Sequence, residues 1–148
     1  MSQNKKMRQR ICTLLCCLIP MFSFVGNFSA NAGNMSSAGT VADCNFNLDW
    51  PHKSVHEPGM VSSNGVINCK NPKAYIGVET WLYTVTCGCL FSYGKAKNDS
   101  GLGVYVNAAA ADNCKTGIYY ARAEFLMVEH NGTRHERSHK TSPVLINC

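Results

Sequence analysis

Beyond residue 32 this chain has no apolar run long enough to cross a bilayer, no sustained helical period and no surplus of positive charge. A helical span needs about 20 consecutive apolar residues, so none is expected there. Four of the 14 Lys and Arg lie in the first ten residues, and the remaining ten face nine Asp and Glu, a net charge of +1. Nucleic-acid binders gather basic side chains with interleaved aromatics into a patch. Here the charges are scattered, and no nucleic-acid partner is expected. The chain also lacks internal repeats and the Cys-x₂-Cys spacing of common zinc sites.

The first 32 residues have the three parts of an export signal. Lys5, Lys6, Arg8 and Arg10 form a basic start, an apolar run covers 11–25 with breaks at Thr13, Pro20 and Ser23, and Ala30-Asn31-Ala32 supplies a small-x-small cleavage site. Cleavage after Ala32 is expected to release a secreted protein beginning at Gly33, with no stable membrane insertion afterwards. The run is too short, and Pro20 too disruptive, for a lasting anchor. Cys16 does not fit a lipid-attachment site, because it follows Leu15 rather than a small residue. The domain plan is then a cleaved signal at 1–32, a flexible Gly/Ser/Asn-rich leader at 33–43 and a single β domain at 44–148. A domain of that size buries one core with little margin.

The cysteines divide the same way. Cys12, Cys16 and Cys17 leave with the signal, while Cys44, Cys69, Cys87, Cys89, Cys114 and Cys148 stay. Six cysteines in an exported chain predict three disulfides, with 15 possible connectivities. Each is worth roughly 2–4 kcal/mol, a large share of a small domain's net stability. Cys87 and Cys89 are expected to reach two different partners, because a ring closing over one residue is small and strained. An even count also leaves no free thiol to act as a nucleophile.

Apolar alternation makes the rest a β chain. The clearest strand covers 74–87, with Ile76, Val78, Thr80, Leu82 and Thr84 facing one way and Tyr75, Glu79, Trp81, Tyr83 and Val85 the other. Further strands are expected at 66–69, 89–93, 102–110, 117–129 and 143–148. Gly88 suggests a bend, Asn98 to Gly101 a turn, and Asn131-Gly132 a hairpin. The alanines at 108–111 are the one place where a helical turn fits. Six or seven short strands predict a small disulfide-stabilised antiparallel β-sandwich, Ig-like or barrel-like.

His135-Glu136-Arg137-Ser138-His139 matches the H-E-x-x-H pattern of zinc proteases. On a helix its two imidazoles share a face and the Glu activates water, with His130 the nearest third ligand in sequence. The segment has no apolar face and lies between Asn131-Gly132 and Pro143, so an exposed polar loop or strand without zinc is expected. A structural site drawing on His52-x₃-His56, His135-x₃-His139 and Cys87-x-Cys89 is a second metal alternative, disfavoured because exported thiols are usually oxidised. No cofactor is expected. Trp81, Tyr83, Tyr119, Tyr120 and Phe125 offer either a ligand platform or core filling; strand packing favours filling, and adjacent Tyr119 and Tyr120 must point to opposite faces. Asn34, Asn98 and Asn131 open glycosylation sequons, which matter only in a eukaryotic host.

The order of several short motifs resembles a group of small exported bacterial proteins, frequent in actinobacteria and Gram-positive relatives. They are Trp50-Pro51-His52 with His52-Lys53-Ser54-Val55-His56-Glu57-Pro58-Gly59 after it, Cys69, Leu82-Tyr83, Cys114-Lys115-Thr116-Gly117-Ile118-Tyr119-Tyr120, and Ser142-Pro143-Val144 before Cys148. Cys44, Cys87 and Cys89 are additions to that pattern. The resemblance implies an extracellular β-protein and no catalytic residues. The expected function is a secreted binding or interaction protein, acting on an extracellular or envelope ligand. The alternatives are a small zinc hydrolase using His135, Glu136 and His139, and a secreted antimicrobial or toxin-like protein.

Overall fold

The computed structural model describes residues 35–148. The expected export signal, its cysteines, the expected Gly33 start and the Asn34 sequon lie outside the described residues.

Two antiparallel sheets pack face to face. The first is organised by the long β4 (Met60–Lys73). One edge of β4 pairs with β2 (Cys44–Asp49) and, nearer its start, with β3 (His52–Lys53), while the other edge pairs with β7 (Gly103–Asn113). Outside β2 lies β1 (Met35–Val41). In the second sheet β5 (Tyr75–Thr84) lies between β6 (Leu90–Asn98) and β8 (Gly117–Val128). The far edge of β8 carries β10 (Val144–Ile146) near its start and β9 (Arg134–Lys140) along the rest. This is the antiparallel β-sandwich that the strand pattern predicts.

The period of two in the sequence decides what lies inside. Ile76, Val78, Thr80 and Leu82 of β5 and Tyr119, Ala121, Ala123, Phe125 and Met127 of β8 are buried. They meet Phe46, Leu48, Val61, Ile67, Val106, Ala108 and Ala110 from the first sheet. Phe46 and Phe125 meet edge to face across the gap, with centroids 5.6 Å apart. At one side β6 crosses close over β7. Ser92 Oγ donates to the Ala111 carbonyl at 2.7 Å, and any side chain at Gly94 would overlap the Ala109 carbonyl.

Two expectations change, and one open alternative closes. Most of the segment read as a flexible leader at 33–43 is strand: residues 35–41 form β1, because a ladder to β2 needs backbone groups rather than apolar side chains. The alanines at 108–111 belong to β7, where Ala108 and Ala110 are buried and the ladder to β4 supplies the hydrogen bonds a helical turn would have made. Cys87 and Cys89 bond each other rather than separate partners. Cys44 and Cys69 stand directly opposite on β2 and β4 with Cα atoms 3.9 Å apart, and Cys114 pairs with Cys148. Those two pairs leave Cys87 and Cys89 together at the tip between β5 and β6. Gly88, at φ 61°, gives the left-handed turn that brings them to a Cα separation of 5.1 Å.

A charged clasp joins elements far apart in sequence. Lys73, only 4 % exposed, places Nζ 2.5 Å from Asp43 Oδ1 and 3.0 Å from Glu129 Oε2. Asp43 also accepts from the Asn71 amide at 2.8 Å and from its side chain at 2.7 Å. The Lys73 hydrogen bond leads in holding the Asp43 carboxyl down at about 2, with Asn71 assisting against burial. Burial opposes the Lys73 charge, but its bonds to Asp43 and Glu129 outweigh that and raise its pKa.

Candidate functional site

The zinc-protease pattern falls on β9, a strand. His135 lies opposite Met127 and His139 opposite Ala123, while Glu136 lies opposite Leu126. Strand alternation turns Glu136 to the face away from both histidines, and four residues of strand separate the imidazoles by about 13 Å. Glu136 instead binds Arg134, whose Nε lies 2.6 Å from its Oε1. His130 is exposed in the turn before β9. His52 lies on β3, where its Nδ1 is 2.8 Å from the Trp50 carbonyl, and His56 is in the exposed segment that follows. Among the described residues no three His, Cys, Asp or Glu side chains gather to hold a metal ion.

The five aromatic candidates divide between the two faces of the second sheet. Tyr119 and Phe125 are core, and Tyr119 packs edge-on against Phe91 at 5.1 Å. Trp81, Tyr83 and Tyr120 face outward. Tyr83 lies opposite Tyr120 in the ladder, and their rings stack at 5.0 Å with an 11° tilt. Trp81 lies opposite Tyr93 of β6, with centroids 5.5 Å apart. Two cations cover this platform. The Arg122 guanidinium lies 5.6 Å from the Trp81 ring and Lys140 Nζ lies 4.1 Å from the Tyr120 ring. Such contacts are worth about 0.5–1 kcal/mol at exposed sites, so they order the surface without sealing it.

Beside the platform lies an open groove of about 420 Å³, running over β6, β5, β8 and β9. Its floor is Gly77, over which the Tyr75 ring folds; its walls carry Glu79, Lys95, Glu124 and Glu136. Each carboxylate has a cation: Glu79 with Lys95, Glu124 with Arg122 and Glu136 with Arg134. Tyr93 Oη also donates to Glu79 Oε2 at 2.9 Å. The Lys95 hydrogen bond, then that of Tyr93, holds Glu79 below the usual carboxylate range. Glu79 in return raises Lys95, and burial followed by Glu79 raises Tyr93. The groove places fixed donors and acceptors beside aromatic faces.

The expectation of core filling holds for Tyr119 and Phe125 but not for Trp81, Tyr83 and Tyr120, which strand alternation places on the opposite face of their sheet. Tyr93, Arg122, Lys140 and the Glu79–Lys95 pair were missed, because they join the site only through register between strands. A β5–β6 hairpin alignment is the signal that places Trp81 beside Tyr93. In comparisons with known proteins, no family model matches the chain and no curated protein matches it significantly.

Proposed function

We propose that this is a secreted, disulfide-stabilised binding protein that works at the cell envelope or outside it. Its ligand lies across the outer face of the second sheet. The observation that carries the reading is the outward pairing of Trp81 with Tyr93 and Tyr83 with Tyr120 beside a polar groove. Core packing does not need these four rings on the outer face. A ligand with flat faces and many hydrogen-bonding groups matches the surface, since orienting polar groups beside apolar area are what binding sites supply. Three paired cystines suit an oxidising compartment, as do the export signal and the resemblance to exported bacterial β-proteins. The zinc-hydrolase alternative gains nothing from a strand that separates His135 and His139.

Labelled protein should bind intact cells or their isolated walls, and the Trp81→Ala/Tyr120→Ala double variant should lose that binding while melting near the parent temperature. Undiminished binding by the folded variant would remove the platform from the function. Secreted material should begin at Gly33 on N-terminal sequencing, and a chain retaining residue 1 in the membrane fraction would contradict secretion.

A further inference from the structure

The Cys87–Cys89 disulfide differs from the other two. Cys44–Cys69 is buried and ties positions 25 apart in sequence, and Cys114–Cys148 ties positions 34 apart. Cys87–Cys89 ties positions two apart at the tip between β5 and β6, where Cys87 is exposed and Cys89 half-buried. The loop-closure gain is smallest for so short a loop, so it secures little of the fold. Exposed disulfides are also the ones open to exchange with other thiols.

Two independent features converge on this tip. Thr84 Oγ1 lies 3.3 Å from Cys87 Sγ. A disulfide sulfur carries no proton, so the hydroxyl is the donor, and the same bond stabilises a Cys87 thiolate once the disulfide opens. Around the pair stand Val85, Leu90 and Ile118, apolar side chains left 40 %, 54 % and 40 % exposed. The Val85 amide donates to the Ile118 carbonyl at 2.8 Å, the Thr84 amide to the Cys89 carbonyl at 3.1 Å, and Leu90 directly follows Cys89. These three side chains form an exposed apolar rim. Beside a reachable disulfide it fits an extended, apolar, cysteine-bearing polypeptide.

We propose that Cys87–Cys89 is a reactive disulfide that oxidises dithiols of unfolded polypeptides outside the cell. A substrate thiolate attacks Cys89 Sγ. A bond forms between those two sulfurs, the Cys87–Cys89 bond breaks, and its electron pair remains on Cys87 Sγ under the Thr84 hydroxyl. The second substrate thiolate then attacks the substrate sulfur of the mixed disulfide, closing the substrate disulfide and releasing Cys89 as a thiolate. The substrate loses two electrons and the protein gains them. The two protons given up by the substrate thiols pass through water to Cys87 and Cys89. One oxidised protein converts one dithiol.

The test mixes the oxidised full mature protein with an equimolar synthetic peptide bearing two cysteines among apolar residues, followed by acid quench, alkylation and mass mapping. The expected result is an oxidised peptide, with alkylation at Cys87 and Cys89 alone while Cys44–Cys69 and Cys114–Cys148 stay closed. Thr84→Val should react roughly threefold more slowly, the effect of about one unit in the leaving thiol's pKa, and Thr84→Ser should restore the rate. Leu90→Ser should slow the apolar peptide but leave reaction with reduced glutathione unchanged. The proposal is overturned if Cys87–Cys89 stays closed, if all three disulfides open together, or if Thr84→Val reacts as fast as the parent.

Discussion

The Gly65 amide donates to Thr80 Oγ1 at 3.1 Å across the gap between the two sheets. It reaches that oxygen because Gly65 has no side chain. A Cβ there would stand 2.5 Å from the same oxygen and 2.7 Å from Val78 Cγ2. The two layers are therefore joined at their centre by one polar contact inside an apolar core.

Gly65→Ala should cost about 1–3 kcal/mol through overpacking. Thr80→Val should cost a similar ~1–3 kcal/mol by leaving the amide without its acceptor. Gly77→Ala should cost less, since the atoms nearest a Cβ there belong to the Tyr75 side chain, which can swing outward. Urea midpoints of the three variants check the order; equal losses at Gly65 and Gly77 would refute it.

Acid should weaken the clasp at Asp43. Its carboxyl titrates at about 2 in the folded protein, against 3.8 for the ordinary group. The unfolded chain therefore takes up that proton first as pH falls. The stabilisation is complete above pH 3.8 and disappears as pH drops through about 2. The stability difference between parent and Asp43→Asn should shrink across that window in urea titrations. At the alkaline end the raised Lys73 holds its contribution through the ordinary lysine range and loses it only above that.

Intact mass should rise by six hydrogens on reduction, one pair for each of the three disulfides. Replacing Cys44 and Cys69 together by Ala should cost about 3–4 kcal/mol, the loop-closure figure for a bridge of that span. Replacing Cys87 and Cys89 together should cost distinctly less. Chemical unfolding of the two double variants separates these outcomes, and comparable losses would mean that the short bridge is structural.

Zinc should leave the melting temperature unchanged in both the parent and His139→Ala. A ligand that binds the folded state raises that temperature by mass action. A rise in the parent that vanishes in His139→Ala would show a metal site that the strand geometry does not provide.

The sequence carried most of the strand pattern and less of the surface. β5 and β8 were legible because their apolar residues alternate over ten and twelve positions. β1 was not, since Ser, Gly and Thr give no apolar period and its placement rests on pairing with β2. The Lys73 clasp was hidden for another reason: Asp43 and Glu129 approach it from 30 and 56 residues away. The pairing of Cys87 with Cys89 depended on what the other four cysteines did. An argument from ring size alone could not include Cys44 and Cys69 standing opposite each other.

The charged strand β9 also bears on how the molecule behaves in a crowd. A sheet edge with open backbone groups is a template on which other chains polymerise. The exposed Arg134, Glu136, Arg137 and Lys140 line that boundary with side chains that resist being buried between copies. The strand that spells a protease signature thus presents charged side chains where a further strand would have to dock.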